Sequence, residues 1–393
     1  MLPAGRQGGG RQSGGRRRLV LVGGGHAHLF VLEAFANEPL ADLEITLIGR
    51  DRWTPYSGML PGAVAGHYGF EEAHIDLVPL CERAGVRFVQ DEVTGLDLEA
   101  RQAHLQEGAP VAFDMISLDI GSTPALEKLA GAREHAVPVK PISRFLQRWQ
   151  ELQARVAAAA GPFAIGVVGG GAGGVELILA MEWALRGAPT VTHSKGLRFV
   201  LINADDAVLK TLNARARRRM RKILEEREIE LVLGHRVQAV TAEGVRLDNR
   251  ALGGESVMLD EVLLVTQAAA QAWVRKSGLR TDDRGFALVD RALRSRSHPF
   301  VFAAGDIAHV EGYDRPKAGV YAVRQGPQLA DNLRRALCDR PVRQRRPQKG
   351  ALSLIGTGGD HAIAARGPFY AEGRWVWALK QWLDRRFMRR FQC

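Results

Sequence analysis

Two glycine-rich turns constrain this chain more than any other feature. The first is Gly23-Gly24-Gly25-His26-Ala27-His28, after the apolar run Leu19-Val20-Leu21-Val22. The second is Gly169-Gly170-Gly171-Ala172-Gly173-Gly174, after Ile165-Gly166-Val167-Val168. One G-x-G-x-x-G is a weak signal. Two of them, each leaving a strand and entering a helix, are a strong one. A pyrophosphate needs the close backbone approach that glycine allows and the positive end of the helix that follows. Two dinucleotides in one polypeptide point to an electron relay, in which one donates a hydride and the other accepts it.

The remaining pattern builds a unit around each turn. In the first, strands are expected at 19–22, Leu43–Ile48, 84–89, 93–98 and from Met115, the last ending in the small-residue turn Gly121-Ser122. Residues 136–141 read as a stiff linker, and a helix covers Phe145–Ala160. The second unit repeats the theme: strand 164–168, helix 173–186, strand 197–202, a basic helix near 211–228, three strands within 229–248, and a buried strand 260–266. The chain then returns to the first unit through Phe300-Val301-Phe302-Ala303-Ala304-Gly305-Asp306 and a helix over 318–337. The fold class is therefore α/β: two Rossmann-like dinucleotide-binding domains, the first discontinuous and the second inserted into it, plus a C-terminal α+β segment. The expected divisions are a disordered basic tail (1–17), first domain (18–140 and 284–338), second domain (141–283) and C-terminal segment (339–393).

Each motif suggests a chemistry. Gly23, Gly25, His26 and Ala27 would face one pyrophosphate, and Gly169, Gly171 and Gly174 the other. His28 replaces the third glycine of the first turn, so helix and strand are expected to sit slightly apart. A ribose-binding carboxylate is expected after the second strand. There the first unit has Gly49, Arg50 and Asp51, with Asp51 as a substitute carboxylate; the second has Asn203, followed by Asp205 and Asp206. Asn203 would not repel a 2′-phosphate, so NADH and NADPH both stay open. Gly121 allows a cofactor to approach closely. Asp306, behind Gly305, is placed to hold a ribityl hydroxyl of a flavin. Ala318 and Gly319 open a helix whose dipole would stabilise charge on the flavin's pyrimidine edge, assisted by Lys317. Glu176 would lie near a nicotinamide.

Composition limits the alternatives. A chain of 393 residues with 46% hydrophobic content holds two or three cored domains, and no apolar run approaches the ~20 residues of a membrane span. No secretory signal opens it, and a cytoplasmic location is expected, with a peripheral place on the cytoplasmic face of the inner membrane as the further option. Cys81, Cys338 and Cys393 form no C-x-x-C, and the histidines show no metal-ligand spacing, so neither a redox dithiol nor a metal site is expected. The net charge of +11 collects at 16–18, 215–222, 343–349 and 385–390. Solvated helix faces or an anionic membrane surface explain these clusters better than nucleic acid does. In the tail, Leu379, Trp382, Leu383 and Phe387 share a helical face among arginines, which suits a membrane interface or a lipophilic substrate, or else packing against the body of the protein or a homodimer mate.

With these residues in hand, the chain resembles the pyridine nucleotide-disulfide oxidoreductase fold. Within it, it is similar to the type II NADH dehydrogenase group and the related flavoproteins associated with selenide, water dikinase. The strings that carry the likeness are the first glycine turn, Thr54-Pro55-Tyr56-Ser57-Gly58-Met59-Leu60-Pro61-Gly62, Val137-Pro138-Val139-Lys140-Pro141, Arg315 to Pro327, and Ser353 to Gly358. The resemblance implies FAD in the first unit with Gly305-Asp306, and NAD(P)H in the second. It implies that Thr54 to Pro61, Pro55 and Ser57 among them, run along the flavin, and that Lys140 is a further cofactor-binding candidate. Gln267 departs from the glycine usual there. No kinase domain follows Cys393, so a stand-alone or trimmed relative is expected. The implied activity is an FAD-dependent NAD(P)H dehydrogenase passing electrons to a second acceptor, a quinone being favoured. A selenium or sulfur acceptor is one alternative. A flavin-fold NAD(P)H sensor or scaffold with little turnover is another.

Overall fold

A computed structural model gives the fold and describes residues 16–124, 126–191, 196–248, 255–265, 268–348 and 350–392. Residues 1–15 of the expected tail, and Gln267, lie outside the described residues. Arg17 and Arg18 belong to the first strand, Arg17–Val22, and pair with Asp339 and Asp114.

Two five-stranded sheets form the body. In the first, the order is Val301–Ala303, Met115–Leu118, Arg17–Val22, Leu43–Gly49 and Arg87–Gln90, all parallel. In the second it is Val137–Pro138, Glu261–Leu264, Phe163–Val168, Leu197–Asn203 and Ile229–Leu233, again parallel. Continuous apolar runs such as Leu19-Val20-Leu21-Val22 suit strands buried on both faces. Each glycine turn leaves an inner strand where the strand order reverses, the position at which such sheets bind ligands. Strand Val301–Ala303 closes the first sheet from far along the chain, so that unit is discontinuous and the second is inserted.

Two expectations change. Residues 84–89 are not one strand: helix Leu77–Arg83, capped by Asp76 accepting from Val78 N, runs up to Ala84, and Gly85 at φ 63° turns the chain into Arg87–Gln90. The expected linker is part of the second sheet, since Val137 and Pro138 pair with Leu263 and Leu264. Its proline sits on the outermost strand, where a missing N–H is tolerated.

The helices follow their apolar spacing. In Ile142–Ala158, Phe145, Trp149, Leu152 and Val156 recur at helical intervals and are all buried. Burial contributes about 1.5–3 kcal/mol for each such side chain. The basic helix Ala214–Glu226 buries Ala216, Met220, Ile223 and Leu224, and its charges meet acids: Arg219 with Glu372, Arg221 with Glu225, Lys222 with Glu226. Helix Gly319–Leu337 lies along His26–Asn37 so closely that a methyl at Gly326 would fall 2.2 Å from the Phe30 ring. The C-terminal segment is an antiparallel sheet of Ser353–Gly356, Ala362–Arg366 and Phe369–Gly373, followed by helix Arg374–Phe391.

Candidate active site

The first turn has the geometry expected of a phosphate-binding element. Gly23 has φ 89° and donates its N–H to Ile48 O, while Gly25 caps helix His26–Asn37 in an extended conformation. The amides of Gly25 and His26 have no protein acceptor among the described residues, as a pyrophosphate site requires. Ala27 N donates instead to Asp119 Oδ2 at 2.7 Å. His28 is fully buried without being a misfit. Its Nδ1–H donates to Gly23 O at 2.6 Å and Nε2 accepts from the Ser117 hydroxyl at 2.9 Å. A small residue on the facing strand thus makes room for the imidazole. Arg50 is exposed and pairs with Asp51 at 3.2 Å.

Around this turn the structure assembles the other flavin-side candidates. Gly305 has φ 69° and its N–H donates to Gln325 Oε1 at 2.8 Å. The neighbouring Asp306 is buried, and its Oδ2 accepts from Lys140 Nζ at 2.7 Å and Ser122 Oγ at 3.0 Å. Gly121, with φ 68°, precedes Ser122. Ala318 caps helix Gly319–Leu337, and a methyl on Gly319 would lie 2.7 Å from Ser57 Oγ and 3.3 Å from His26. The His26 ring reaches Pro55 O at 3.3 Å. The predicted Pro55, Ser57, His26, Ala318 and Gly319 therefore meet. Lys317 borders the same pocket as Gly305 and Asp306, but its ammonium is held by Ala308 O at 2.7 Å and lies over Phe286. Burial pulls it down to about 8, against the opposing charge of Asp306. This donor set fits FAD: free helix amides, a buried carboxylate behind a glycine, and a second helix start facing the same place.

The second turn has the same form. Gly169 has φ 127°, Gly171 caps helix Ala172–Gly187, and a methyl on Gly174 would fall 1.9 Å from Gly169 O. The amides of Gly171 and Ala172 have no protein acceptor among the described residues. Asn203 Oδ1 accepts from Gly170 N, and its Nδ2 donates to Asp205 O and Ala207 O, so its side chain braces the turn.

Glu176 sits lower on that helix, partly buried under the C-terminal sheet, and accepts from Gly356 N at 2.8 Å. Burial holds its carboxyl up to about 7, against the pull of Lys380 and the Gly356 N–H. Lys380 is 7% exposed and donates to Gly58 O at 2.7 Å and to Asp384 Oδ2 at 2.9 Å. Burial alone would lower it, but the carboxyls of Glu176 and Asp384 raise it above its ordinary value. Sequence reading missed Lys380, Asp384 and Asp119. The first two look like one solvated i, i+4 pair, and Asp119 acts only through a contact with a distant helix end. Tyr56 stacks on Phe387 at 4.4 Å and Phe30 meets Phe391 at 5.0 Å, seating the C-terminal helix on the first turn. No redox dithiol is formed by the described cysteines: buried Cys81 is pushed up to about 12 by its surroundings, and Cys338 is exposed elsewhere.

Comparison with known proteins agrees with this geometry. The alternative NAD(P)H-ubiquinone oxidoreductase C1 of Arabidopsis thaliana is 24% identical over 394 residues, covering 91% of this chain and 74% of that protein. The demethylphylloquinone reductase NdbB of Synechocystis is 26% identical over 356 residues, covering 87% of this chain and 85% of its own. The structure of NDH2 from Plasmodium falciparum in complex with NADH shares the fold, with a TM-score of 0.81 at 12% identity over 95% of this chain and 96% of that one. The sequence profile of the pyridine nucleotide-disulphide oxidoreductases matches residues 17–326, most of the chain. The chain belongs to that family.

Proposed function

We propose that this chain, an FAD-dependent oxidoreductase using NAD(P)H, passes its electrons to a quinone at a membrane surface. The Arabidopsis and Synechocystis relatives are named for quinone reduction, which supports the acceptor. The observation that carries the reading is the junction of three parts of the chain: Glu176 from the second unit, Lys380 from the C-terminal helix, and Gly58 O from the first. Bound FAD supplies a two-electron store that takes a hydride from a nicotinamide and is reoxidised by a quinone. The protein supplies the rest. Amides of Gly25 and His26 receive the FAD phosphates, and Asp306, neutralised by Lys140, offers a carboxylate oxygen to the ribityl chain. Amides of Gly171 and Ala172 receive the nicotinamide dinucleotide.

Glu176 keeps a proton on its carboxyl to about pH 7, where a general acid is most effective. Lys380 compensates the carboxylate left behind. Trp377, packed 4.9 Å from His67 and against Gly356, and the Tyr56–Phe387 stack put aromatic surface beside this junction, which supports a quinone ring as its partner. On the outer face of the C-terminal helix, Trp375 is 58% exposed, Trp382 49% and Leu383 39%, beside Arg386 and Arg389. Exposed aromatics with arginines suit an anionic lipid interface. No helix among the described residues is long and apolar enough to cross a membrane.

The test is anaerobic stopped-flow of the purified yellow protein with NADH and with NADPH, followed by a soluble quinone and, separately, by selenium compounds. The reading expects bleaching of the flavin by a nicotinamide and recolouring by the quinone. Flavin that neither nicotinamide bleaches sinks the dehydrogenase reading, and recolouring by selenium compounds alone sinks the quinone.

A further inference from the structure

The first helix presents its positive end to the place where the FAD phosphates must land, and part of that end is already taken. Asp119 follows strand Met115–Leu118 and is 3% exposed. Its backbone N–H donates to Val22 O, which holds it directly beside the turn. Its Oδ2 accepts from Ala27 N at 2.7 Å and His28 N at 3.1 Å. The carboxyl is gripped from both sides. A methyl on Gly25 would fall 2.4 Å from its Cγ, and a methyl on Gly305 would fall 2.5 Å from its Oδ1. The side chain therefore bridges the phosphate turn and the Asp306 turn, the two elements that hold opposite parts of the same cofactor.

We propose that Asp119 is a positioning residue for the FAD phosphates and that the cofactor binds with this carboxyl protonated, so that each FAD bound near pH 8 draws one proton onto the protein.

The charge balance leads there. A pyrophosphate brings fixed negative charge to a helix end that an aspartate already serves, and a like charge at close range disfavours the ionised carboxyl. No ion pair reaches Asp119 among the described residues. The ring of His28, on the helix, is turned to Gly23 O and Ser117, and burial keeps it neutral, with its value down to about 4. The ring of His26 faces Pro55 O and is likewise lowered by burial. From the other side comes Asp306, a further negative group, whose own charge is met by Lys140. A proton is what remains to neutralise Asp119. Burial already holds its carboxyl up to about 7, against the two helix amides and with the help of Asp306.

FAD favours the protonated form, so affinity is whole below about pH 7 and falls as pH rises, by up to roughly tenfold per pH unit. The full-length chain, stripped of flavin, is titrated with FAD between pH 6 and pH 9 by flavin fluorescence. Calorimetry at pH 8 in buffers of different ionisation enthalpy counts the protons. The wild type is expected to weaken steadily above pH 7 and to take up close to one proton. Asp119→Asn keeps an oxygen for the helix amides without the charge. It is expected to bind FAD with a flat pH profile, more tightly than the wild type at pH 9, and with no proton uptake. Lys317, lowered to about 8, is the competing titrating group, so Lys317→Met is expected to retain the uptake. A wild type that binds FAD equally at pH 6 and pH 9, without protons, overturns the proposal even if Asp119→Asn does not fold. Uptake lost in Lys317→Met but kept in Asp119→Asn overturns it as well.

Discussion

At the scale of single residues, the two turns show how one carbonyl decides what can stand beside it. In the second turn, a methyl at Gly174 would strike Gly169 O at 1.9 Å, so glycine is required. In the first, the matching position is His28, and the matching carbonyl, Gly23 O, receives its Nδ1–H at 2.6 Å. The motif's apparent defect is a satisfied polar contact. His28→Ala leaves Gly23 O and the Ser117 hydroxyl without this partner, at about 1–3 kcal/mol for each group that stays dry. Burial pulls the His28 ring down to about 4, only partly resisted by Gly23 O. The unfolded chain takes up that proton near 6.5. The contribution of a neutral His28 is thus whole above about pH 6.5 and fades as pH falls toward 4, by about 3 kcal/mol in full. Urea unfolding is expected to show His28→Ala about 2–4 kcal/mol less stable than wild type at pH 7, with a narrower gap at pH 5. A gap that ignores pH counts against the imidazole network. The glycines were legible because a tight turn admits little else. Asp119 was not, because its partner Ala27 lies 92 positions away and only the parallel pairing of the strands that precede the two residues brings them together.

At the scale of the element, the C-terminal helix shows why an apolar stripe read from sequence does not say which side of a helix is buried. Leu379, Trp382, Leu383 and Phe387 share the face that the pattern marks as apolar, for a membrane interface, a lipophilic substrate, a dimer mate or the body of the protein. In the fold, Val376, Trp377, Lys380, Asp384, Met388 and Phe391 turn inward, while Trp382 and Leu383 stay exposed. Hydropathy assigns Lys380 and Asp384 to water. Their mutual bond, and the Gly58 carbonyl that accepts from Lys380, make their burial tolerable. The outward residues can therefore be changed without unseating the helix. The triple substitution Trp375→Ser, Trp382→Ser and Leu383→Ser is expected to weaken co-sedimentation with anionic vesicles by at least about tenfold, since one buried apolar side chain contributes about 1.5–3 kcal/mol. Its thermal midpoint is expected to stay within a few degrees of wild type. Vesicle binding that survives the substitution rules out this face as the anchor. Loss of a dimer on size-exclusion, with vesicle binding unchanged, would reassign the face to a second copy of the chain.

At the scale of the whole molecule, the chain is one plan used twice. Both units carry a parallel sheet with the glycine turn leaving an inner strand, and both append a three-stranded antiparallel sheet, at 93–112 and at 237–258. This duplication was readable, because turn, strand run and helix recur in the same sequence order. The placement of the C-terminal segment over the seam was not, because it rests on contacts such as Gly356 N to Glu176 and Lys380 to Gly58 O, which no local pattern announces. If each unit holds its own dinucleotide, the two sites must fail separately. Gly25→Ala drives a methyl to 2.4 Å from the Asp119 carboxyl carbon and from its backbone oxygen, so the first turn must open. The purified protein is expected to be colourless. Gly174→Ala places its methyl 1.9 Å from Gly169 O and disturbs only the second turn. That protein is expected to be yellow and bleached by dithionite, yet bleached by NAD(P)H at least about a hundredfold more slowly than wild type, as follows when a clash of about 3 kcal/mol falls on nicotinamide binding. Absorbance spectra and anaerobic reduction rates of the two variants decide it. A Gly174→Ala protein that NAD(P)H reduces at the wild-type rate would mean that the second turn does not bind the donor, and the relay between the two units would have to be given up.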